Sequence, residues 1–135
     1  MITNRMVVFQ SKSKVTNLIG ESRVMKINYT SRSGRISVEL DAETQRDAFQ
    51  QLSDFQEIFD ELSCGKCASE NLRFVVRTVD ENQYYEIRCL DCGARLEFGS
   101  MKQGGKLFPR RKDKEGNWLP DNGWVKWDKE KGALV

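Results

Sequence analysis

Apolar and polar residues alternate strictly in two stretches near the start of the chain, residues 25–30 and 35–40. A period of two is typical of strands that bury one face, so both stretches are predicted to be β-strands. Residues 31–34, SRSG, separate them and have turn chemistry, because glycine readily adopts positive φ. The pattern predicts a β-hairpin, and residues 5–10 could form a further short strand.

The period changes at Asp41, where the spacing becomes that of a helix. Apolar residues then recur every three or four positions and form one stripe: Ala48, Leu52, Phe55, Phe59 and Leu62. Phe49 and Ile58 widen the stripe. We expect Asp41 to cap an amphipathic helix, with Glu43 in its first turn, and the phenylalanines to pack on the hairpin. The helix should end at Ser63.

Alternation returns in three further stretches, residues 72–78, 82–89 and 95–99, with a turn predicted at residues 79–82. From Ser100 onward the chain has the composition of a loop. These patterns predict an α+β fold, in which a small β-hairpin and one amphipathic helix join antiparallel strands.

The predicted elements fall into three consecutive parts. The hairpin and helix occupy residues 1–62, the antiparallel strands residues 63–99, and a basic aromatic segment residues 100–135. No linker separates them, so one compact domain is expected overall.

The composition narrows the class of protein. The chain has 135 residues and is 39% hydrophobic, with no apolar run long enough to span a membrane. The first ten residues lack the long apolar stretch of a signal peptide, so we expect a cytoplasmic protein. No glycine-rich phosphate loop and no serine–histidine–aspartate arrangement occurs, so we expect no enzymatic activity.

The net charge of +2 conceals an uneven distribution. Residues 41–62 carry seven acidic residues and one basic residue, whereas residues 94–135 carry ten basic residues and six acidic ones. Such asymmetry concerns binding partners rather than fold. The acidic face of the predicted helix is either a solvated surface or a docking site for a basic partner.

The four cysteines form two CxxC pairs, Cys64 with Cys67 and Cys89 with Cys92, separated by two predicted strands. A CxxC turn brings two thiolates to one metal ion, and two such turns complete a tetrahedron around zinc. Gly65 and Gly93 are expected to allow the tight backbone of these turns. An iron centre with four thiolates, two disulfides and a redox CxxC are the alternatives.

A zinc ion bound by four thiolates has no open position for water, and the chain contains no histidine that could transfer protons. The zinc is therefore expected to be structural, and its binding energy to become folding energy.

The sequence CGKC…CLDCG, with two strands between its cysteine pairs, resembles the zinc-ribbon superfamily over residues 62–99. That resemblance implies a structural zinc bound by the four cysteines and a role in binding nucleic acid or protein. Together with the segment that follows, GGKLFPRRKDKEGNWLPDNGWVKW, it is similar to uncharacterised small proteins of phages and mobile elements. The genes of those proteins often lie among replication or recombination genes for single-stranded DNA.

The C-terminal segment interleaves basic and aromatic residues, a mixture that binds single-stranded nucleic acid through phosphate contacts and base stacking. The candidate residues are Arg95, Lys102, Lys106, Phe108, Arg110, Arg111, Lys112, Lys114 and Trp118. A solvated basic loop and a surface for an acidic protein are the alternatives, and the tryptophans could instead belong to the core.

These observations predict a non-catalytic protein that binds nucleic acid, single-stranded DNA in particular, in phage or mobile-element replication or recombination. The alternative is a protein-interaction or inhibitor module that acts through the acidic helix, residues 41–62. Both hypotheses allow a homodimer.

Overall fold

The computed structural model of the chain describes residues 6–10, 24–102 and 104–135. One α-helix and several antiparallel sheets make up these residues, which confirms the predicted α+β class. The chain divides into two compact units, Met1–Glu61 and Leu62–Val135. Within the residues described, no helix is both long enough and apolar enough to cross a membrane.

The first unit contains a three-stranded antiparallel sheet. Its strands, in order across the sheet, are β1 (Met6–Gln10), β2 (Met25–Thr30) and β3 (Ser37–Ala42). β2 and β3 form the predicted hairpin, whose turn is closed by a hydrogen bond from Gly34 N to Ser31 O of 2.9 Å.

The helix α1 (Gln45–Phe59) begins later and ends earlier than predicted. Thr44, not Asp41, is its N-cap, because the Thr44 side chain accepts a hydrogen bond of 3.0 Å from the Asp47 amide. Asp41 instead lies in β3, opposite Lys26 in β2, and forms an ion pair of 3.1 Å with it. Sheet pairing therefore extends to the residue that was expected to start the helix.

The apolar stripe of α1 packs on the sheet as predicted, with Ala48 buried among Ile27 and Ala42, and Leu52 packed against this core. Phe55 meets the ring of Tyr29 edge-on at a centroid distance of 5.7 Å.

The prediction that Phe49 packs on the hairpin is wrong, because its side chain is 78% exposed. It lies next to Ala48 in the chain, and one residue rotates the helix by about 100°, which carries the ring off the buried stripe.

The C-terminus of α1 is tied to the hairpin turn through Asp60. Its carboxylate accepts hydrogen bonds from the amide of Arg32, at 2.6 Å, and from the hydroxyl of Tyr29, at 3.2 Å. Burial raises the pKa of Tyr29 above its usual value, and the nearby carboxylate of Asp60 adds to this, whereas a hydrogen bond from Gln56 opposes it. Asp60 therefore holds the first unit together and is not a free surface charge.

The second unit contains a four-stranded antiparallel sheet. Its strands, in order, are β4 (Leu72–Val79), β5 (Asn82–Cys89), β6 (Arg95–Ser100) and β7 (Leu107–Pro109). The first three confirm the strands predicted from alternation.

The turn between β4 and β5 has two residues, Asp80 and Glu81, with φ of 50° and 68°. A two-residue hairpin turn of this kind normally contains glycine, so this turn is strained.

The C-terminal segment is not the loop that its composition suggested. After β7 it contains a short 3-10 turn (Pro120–Gly123) and a two-stranded sheet of β8 (Trp127–Asp128) and β9 (Ala133–Leu134). Trp124 is 1% exposed and belongs to the core of the second unit. The alternative that the tryptophans belong to the core therefore holds for Trp124.

Candidate functional site

Both cysteine pairs lie in tight turns with the same backbone hydrogen bonds. In the first turn, the Cys64 amide donates to Ser69 O at 2.8 Å, and the Ala68 amide donates to Cys64 O at 2.9 Å. Residues 89–94 repeat both bonds, at 2.8 and 3.0 Å. The two halves of the cluster are therefore built alike, although their sequences share little beyond the cysteines.

The four cysteine sulfurs all lie within 4.8 Å of one another. Cys64 Sγ is 3.7 Å from Cys92 Sγ, and Cys67 Sγ is 3.6 Å from Cys89 Sγ. A tetrahedron with metal–sulfur bonds of about 2.3 Å has edges of about 3.8 Å, whereas a disulfide requires about 2.05 Å. These distances fit a metal ion bound by four thiolates and do not fit disulfides, and the cysteines are free.

Backbone amides donate hydrogen bonds to sulfurs of the cluster. Cys64 Sγ accepts hydrogen bonds from the amides of Lys66, at 3.2 Å, and Cys67, at 3.4 Å. Cys89 Sγ accepts one from the amide of Cys92 at 3.4 Å. Such donors favour the thiolate over the thiol, and the thiolate is the form that binds a metal.

The thiols of Cys67 and Cys89 differ in pKa. The Ser69 amide lowers the pKa of Cys67, but burial and the neighbouring cysteines raise it further, to about 12. Burial acts to raise the pKa of Cys89, yet the amides of Cys92 and Asp91 and the adjacent thiols bring it to about 7. A metal ion must displace the protons that the cluster retains, so binding releases protons.

The residues around the cluster stabilise its turns. Asp91, inside the second turn, accepts hydrogen bonds from Ser69 Oγ at 2.5 Å and from Asn71 Nδ2 at 3.3 Å. These bonds hold the pKa of Asp91 below its usual value and connect the two turns.

Gly65 has a different role from the one predicted. Its backbone has an ordinary φ, so it is not needed for a left-handed turn. A Cβ atom at this position would lie 2.5 Å from both Trp124 Cδ1 and Asp121 O. Gly65 is therefore required because the buried indole and the 3-10 turn lie directly against the first cysteine turn. The ion pair of 2.5 Å between Lys66 and Asp121 reinforces this contact.

Gly93, by contrast, has a φ of 82° and fills the role that the sequence predicted for it. Ala68 occupies the equivalent position in the first turn with a φ of 65°, which is unfavourable for a residue with a Cβ atom.

The structure places the predicted nucleic-acid residues in three locations. Lys102 and Lys106 are exposed and flank the turn between β6 and β7. Arg95, Phe108 and Arg110 belong to the β6–β7 part of the sheet, where the Arg110 amide donates to Glu97 O at 2.8 Å. Lys112, Lys114 and Trp118 belong to a small hairpin that follows.

Several of these residues also have structural contacts. The Phe108 ring lies over Gly99, where a Cβ atom would approach it to 2.4 Å. Arg111 donates from Nη1 to Asn122 O at 2.6 Å and so holds the 3-10 turn in place.

The small hairpin, residues 111–119, projects a basic and aromatic tip. Its two arms are joined by the Leu119 amide, which donates to Arg111 O at 2.8 Å, and by a bridge between Lys112 and Trp118. The Asp113 carboxylate accepts from the Glu115 and Asn117 amides, both at 2.9 Å, and closes the tip. Lys112 Nζ lies 4.4 Å from the centroid of the Trp118 ring, and Trp118 is 68% exposed.

A cluster of charged residues on β4 and β5 was not predicted from the sequence. The Glu86 carboxylate is buried and accepts hydrogen bonds from Arg77, at 3.1 Å, and from Arg88. Strand alternation could have revealed the cluster, because Arg73 and Arg77 share one face of β4, and Glu86 and Arg88 share one face of β5.

The chain was compared with protein-family models, with curated proteins and with solved structures, and none of them matches it.

Proposed function

We propose that the chain is a zinc-ribbon protein that binds single-stranded DNA without catalysing a reaction. The metal part of the proposal is supported by four free thiols with sulfur separations of 3.6 and 3.7 Å across the cluster. Four thiolates in a tetrahedron suit both zinc and iron, and we choose zinc because four cysteines in two CxxC turns are typical of structural zinc sites. When bound, the zinc would join the two turns and stabilise the second unit.

The observation that carries the nucleic-acid proposal is the exposed pair of Lys112 and Trp118 at the small hairpin. Trp118 is 68% exposed, so its ring is accessible to a ligand. One ring face is occupied by the lysine ammonium, and a base can stack on the other face. Lys114, exposed in the same hairpin, adds a second cation for the phosphates. The resemblance to phage and mobile-element proteins suggests DNA replication or recombination as the setting.

The test is a titration of the zinc-loaded protein with fluorescent single-stranded DNA, duplex DNA and single-stranded RNA of equal length, at two salt concentrations. We expect tightest binding to single-stranded DNA, weakened by salt because counterions are released. Absence of binding to all three at low salt would refute the proposal.

Variants at two exposed tryptophans sharpen the test. Trp118→Ala should weaken binding by about 5- to 150-fold, the loss of one stacked base of roughly 1–3 kcal/mol. Trp127 is also exposed, at 55%, but lies in β8, outside the small hairpin. Trp127→Ala is therefore the matched control and should bind as the parent protein does.

A second function is favoured by a separate observation, the exposed Phe49 on the acidic helix. A large aromatic residue that is 78% exposed on an acidic helix can anchor a protein partner. Phe49→Ala and Glu57→Lys should then abolish capture of a basic partner without loss of zinc. Asp60 is unsuitable for such a test, because its carboxylate bonds the Arg32 amide and the Tyr29 hydroxyl.

A further inference from the structure

One face of the β4–β6 sheet carries arginines in direct cross-strand register. Arg73 in β4 lies opposite Arg88 in β5, and Arg88 lies opposite Arg95 in β6. Three guanidinium groups thus form a row across three strands, over a distance of about 10 Å at the usual strand spacing. Like charges placed directly opposite one another are destabilising, so the row requires negative charge nearby.

The sheet itself supplies part of that negative charge in the next row. Glu86 lies opposite Glu97, and the Glu86 side chain is 1% exposed. Glu86 is bonded to Arg77 and Arg88, and Glu97 accepts a hydrogen bond of 2.8 Å from Arg95. A buried carboxylate needs such partners, so these contacts explain why some of the arginines are present.

The two carboxylates do not balance the whole face. Alternation along the strands places Arg110 on it as well, beside Glu97. We call this surface the arginine face; it comprises five arginines and two glutamates, a formal charge of +3: Arg73, Arg77, Arg88, Arg95, Arg110, Glu86 and Glu97.

The side chain of Arg73 and the Nε atom of Arg88 are hydrogen-bond donors on the arginine face that have no carboxylate partner among the residues that the structure describes. Arg73 is exposed, and none of the residues in the described part of the chain forms an ion pair with it. The Nε atom of Arg88 is buried and has no hydrogen-bond partner among the described residues. A buried donor without a partner is costly. The Arg88 side chain as a whole is 38% exposed, so an anion can approach its guanidinium group.

Aromatic rings lie on the same face. Tyr84 is opposite Arg77 and is 45% exposed, and the Arg77 guanidinium lies 5.4 Å from its ring centroid. The Phe108 ring, which covers Gly99, lies on this side of the sheet too. A linear row of cations beside partly exposed rings fits a chain of phosphates with bases better than it fits an acidic peptide, which has no rings that must stack.

We propose that the arginine face binds the sugar–phosphate backbone of single-stranded nucleic acid, with Arg73, Arg88 and Arg110 as phosphate contacts and Tyr84 as a stacking platform. This inference rests on the proposed function and deepens it, because it assigns the phosphate contacts to the sheet rather than to the small hairpin alone.

The test uses the full zinc-loaded chain and an oligothymidylate. The variants are Arg73→Gln, the double variant Arg73→Gln with Arg110→Gln, and the control Arg46→Gln. Arg46 is an exposed arginine of α1 in the first unit and is not part of the arginine face, so the control removes the same charge from a different unit. Neither Arg73 nor Arg110 is bonded to the buried Glu86, so both variants should fold and retain zinc.

Affinity falls as salt rises, and the magnitude of the slope of log affinity against log salt should decrease by about 0.7 for Arg73→Gln and by about 1.4 for the double variant. These are the values for one and two phosphate contacts to a single strand. Arg46→Gln should leave the slope unchanged. In a parallel NMR titration, the Nε–H resonances of Arg73, Arg88 and Arg110 should shift when the oligothymidylate is added.

The outcomes separate the two proposals. If the parent protein binds no oligonucleotide, both the proposed function and the arginine face are refuted. If the parent protein binds and Trp118→Ala weakens it, but both arginine variants keep the parent slope and the Nε–H resonances do not move, only the arginine face is refuted. Equal changes in Arg73→Gln and Arg46→Gln would also overturn it, because the effect would then reflect net charge alone.

Discussion

Replacing Gly65 with alanine is the sharpest test of how the C-terminal segment packs on the cysteine turns. The backbone of Gly65 has an ordinary φ, so the substitution is compatible with its local conformation. On that ground alone, Gly65→Ala should raise the free energy of unfolding by about 0.4–1 kcal/mol, because alanine restricts the unfolded chain.

The packing predicts the opposite sign. The new methyl group would lie 2.5 Å from both Trp124 Cδ1 and Asp121 O, whereas ordinary contacts begin near 3.4 Å. Trp124 is 1% exposed, so the indole has no free space into which it can move. Overpacking of this kind costs about 1–3 kcal/mol, and the net expectation is a loss of about 1–2 kcal/mol.

The assay is urea unfolding of the zinc-loaded protein, with near-UV circular dichroism as a report on Trp124. Gly93→Ala is the control: nothing lies within 4 Å of its Cβ position, but its φ of 82° strains alanine. It should cost about 1 kcal/mol without altering the Trp124 signal. A Gly65→Ala protein as stable as the parent, with an unchanged Trp124 signal, would refute the proposed packing.

Further perturbations also have defined expectations. Ala68→Gly and Glu81→Gly each relieve a left-handed φ, of 65° and 68°, and should raise the free energy of urea unfolding by about 0.5–1 kcal/mol; a loss would contradict the strain. Glu86→Gln should lower the free energy of urea unfolding by about 3 kcal/mol, because the arginines would lose a buried counter-charge. A change within experimental error would contradict this. Chelation of the metal should unfold the second unit, as followed by circular dichroism, and Cys67→Ser should weaken metal binding. Acid should release the metal, because protons compete for the thiolates, and a pH-independent metal affinity would exclude thiolate ligands.

The elements that depend on local pattern could be predicted from the sequence. Alternation located β4, β5 and β6, and the spacing of Ala48, Leu52 and Phe55 located the buried stripe of α1. The paired cysteines likewise identified the metal cluster, because ligand spacing within a CxxC turn is a local property.

Features decided by tertiary contacts were predicted less well. Asp41 and Thr44 are both good capping residues, and only the pairing of Asp41 with Lys26 in the sheet decides between them. The contact of Trp124 with Gly65 joins residues far apart in sequence, and no local pattern signals it. The strands after Ser100 were not predicted, because they have only two or three residues each and such short stretches show no alternation.

The central claim is that four thiolates hold one metal ion and so stabilise the second unit. X-ray absorption at the metal edge of the purified protein, combined with its metal content, tests this most directly. We expect one zinc ion per chain with four sulfur neighbours at about 2.3 Å and no nitrogen or oxygen neighbour. A light-atom ligand in the first shell, or a metal-free protein whose cysteines are joined as disulfides, would contradict it.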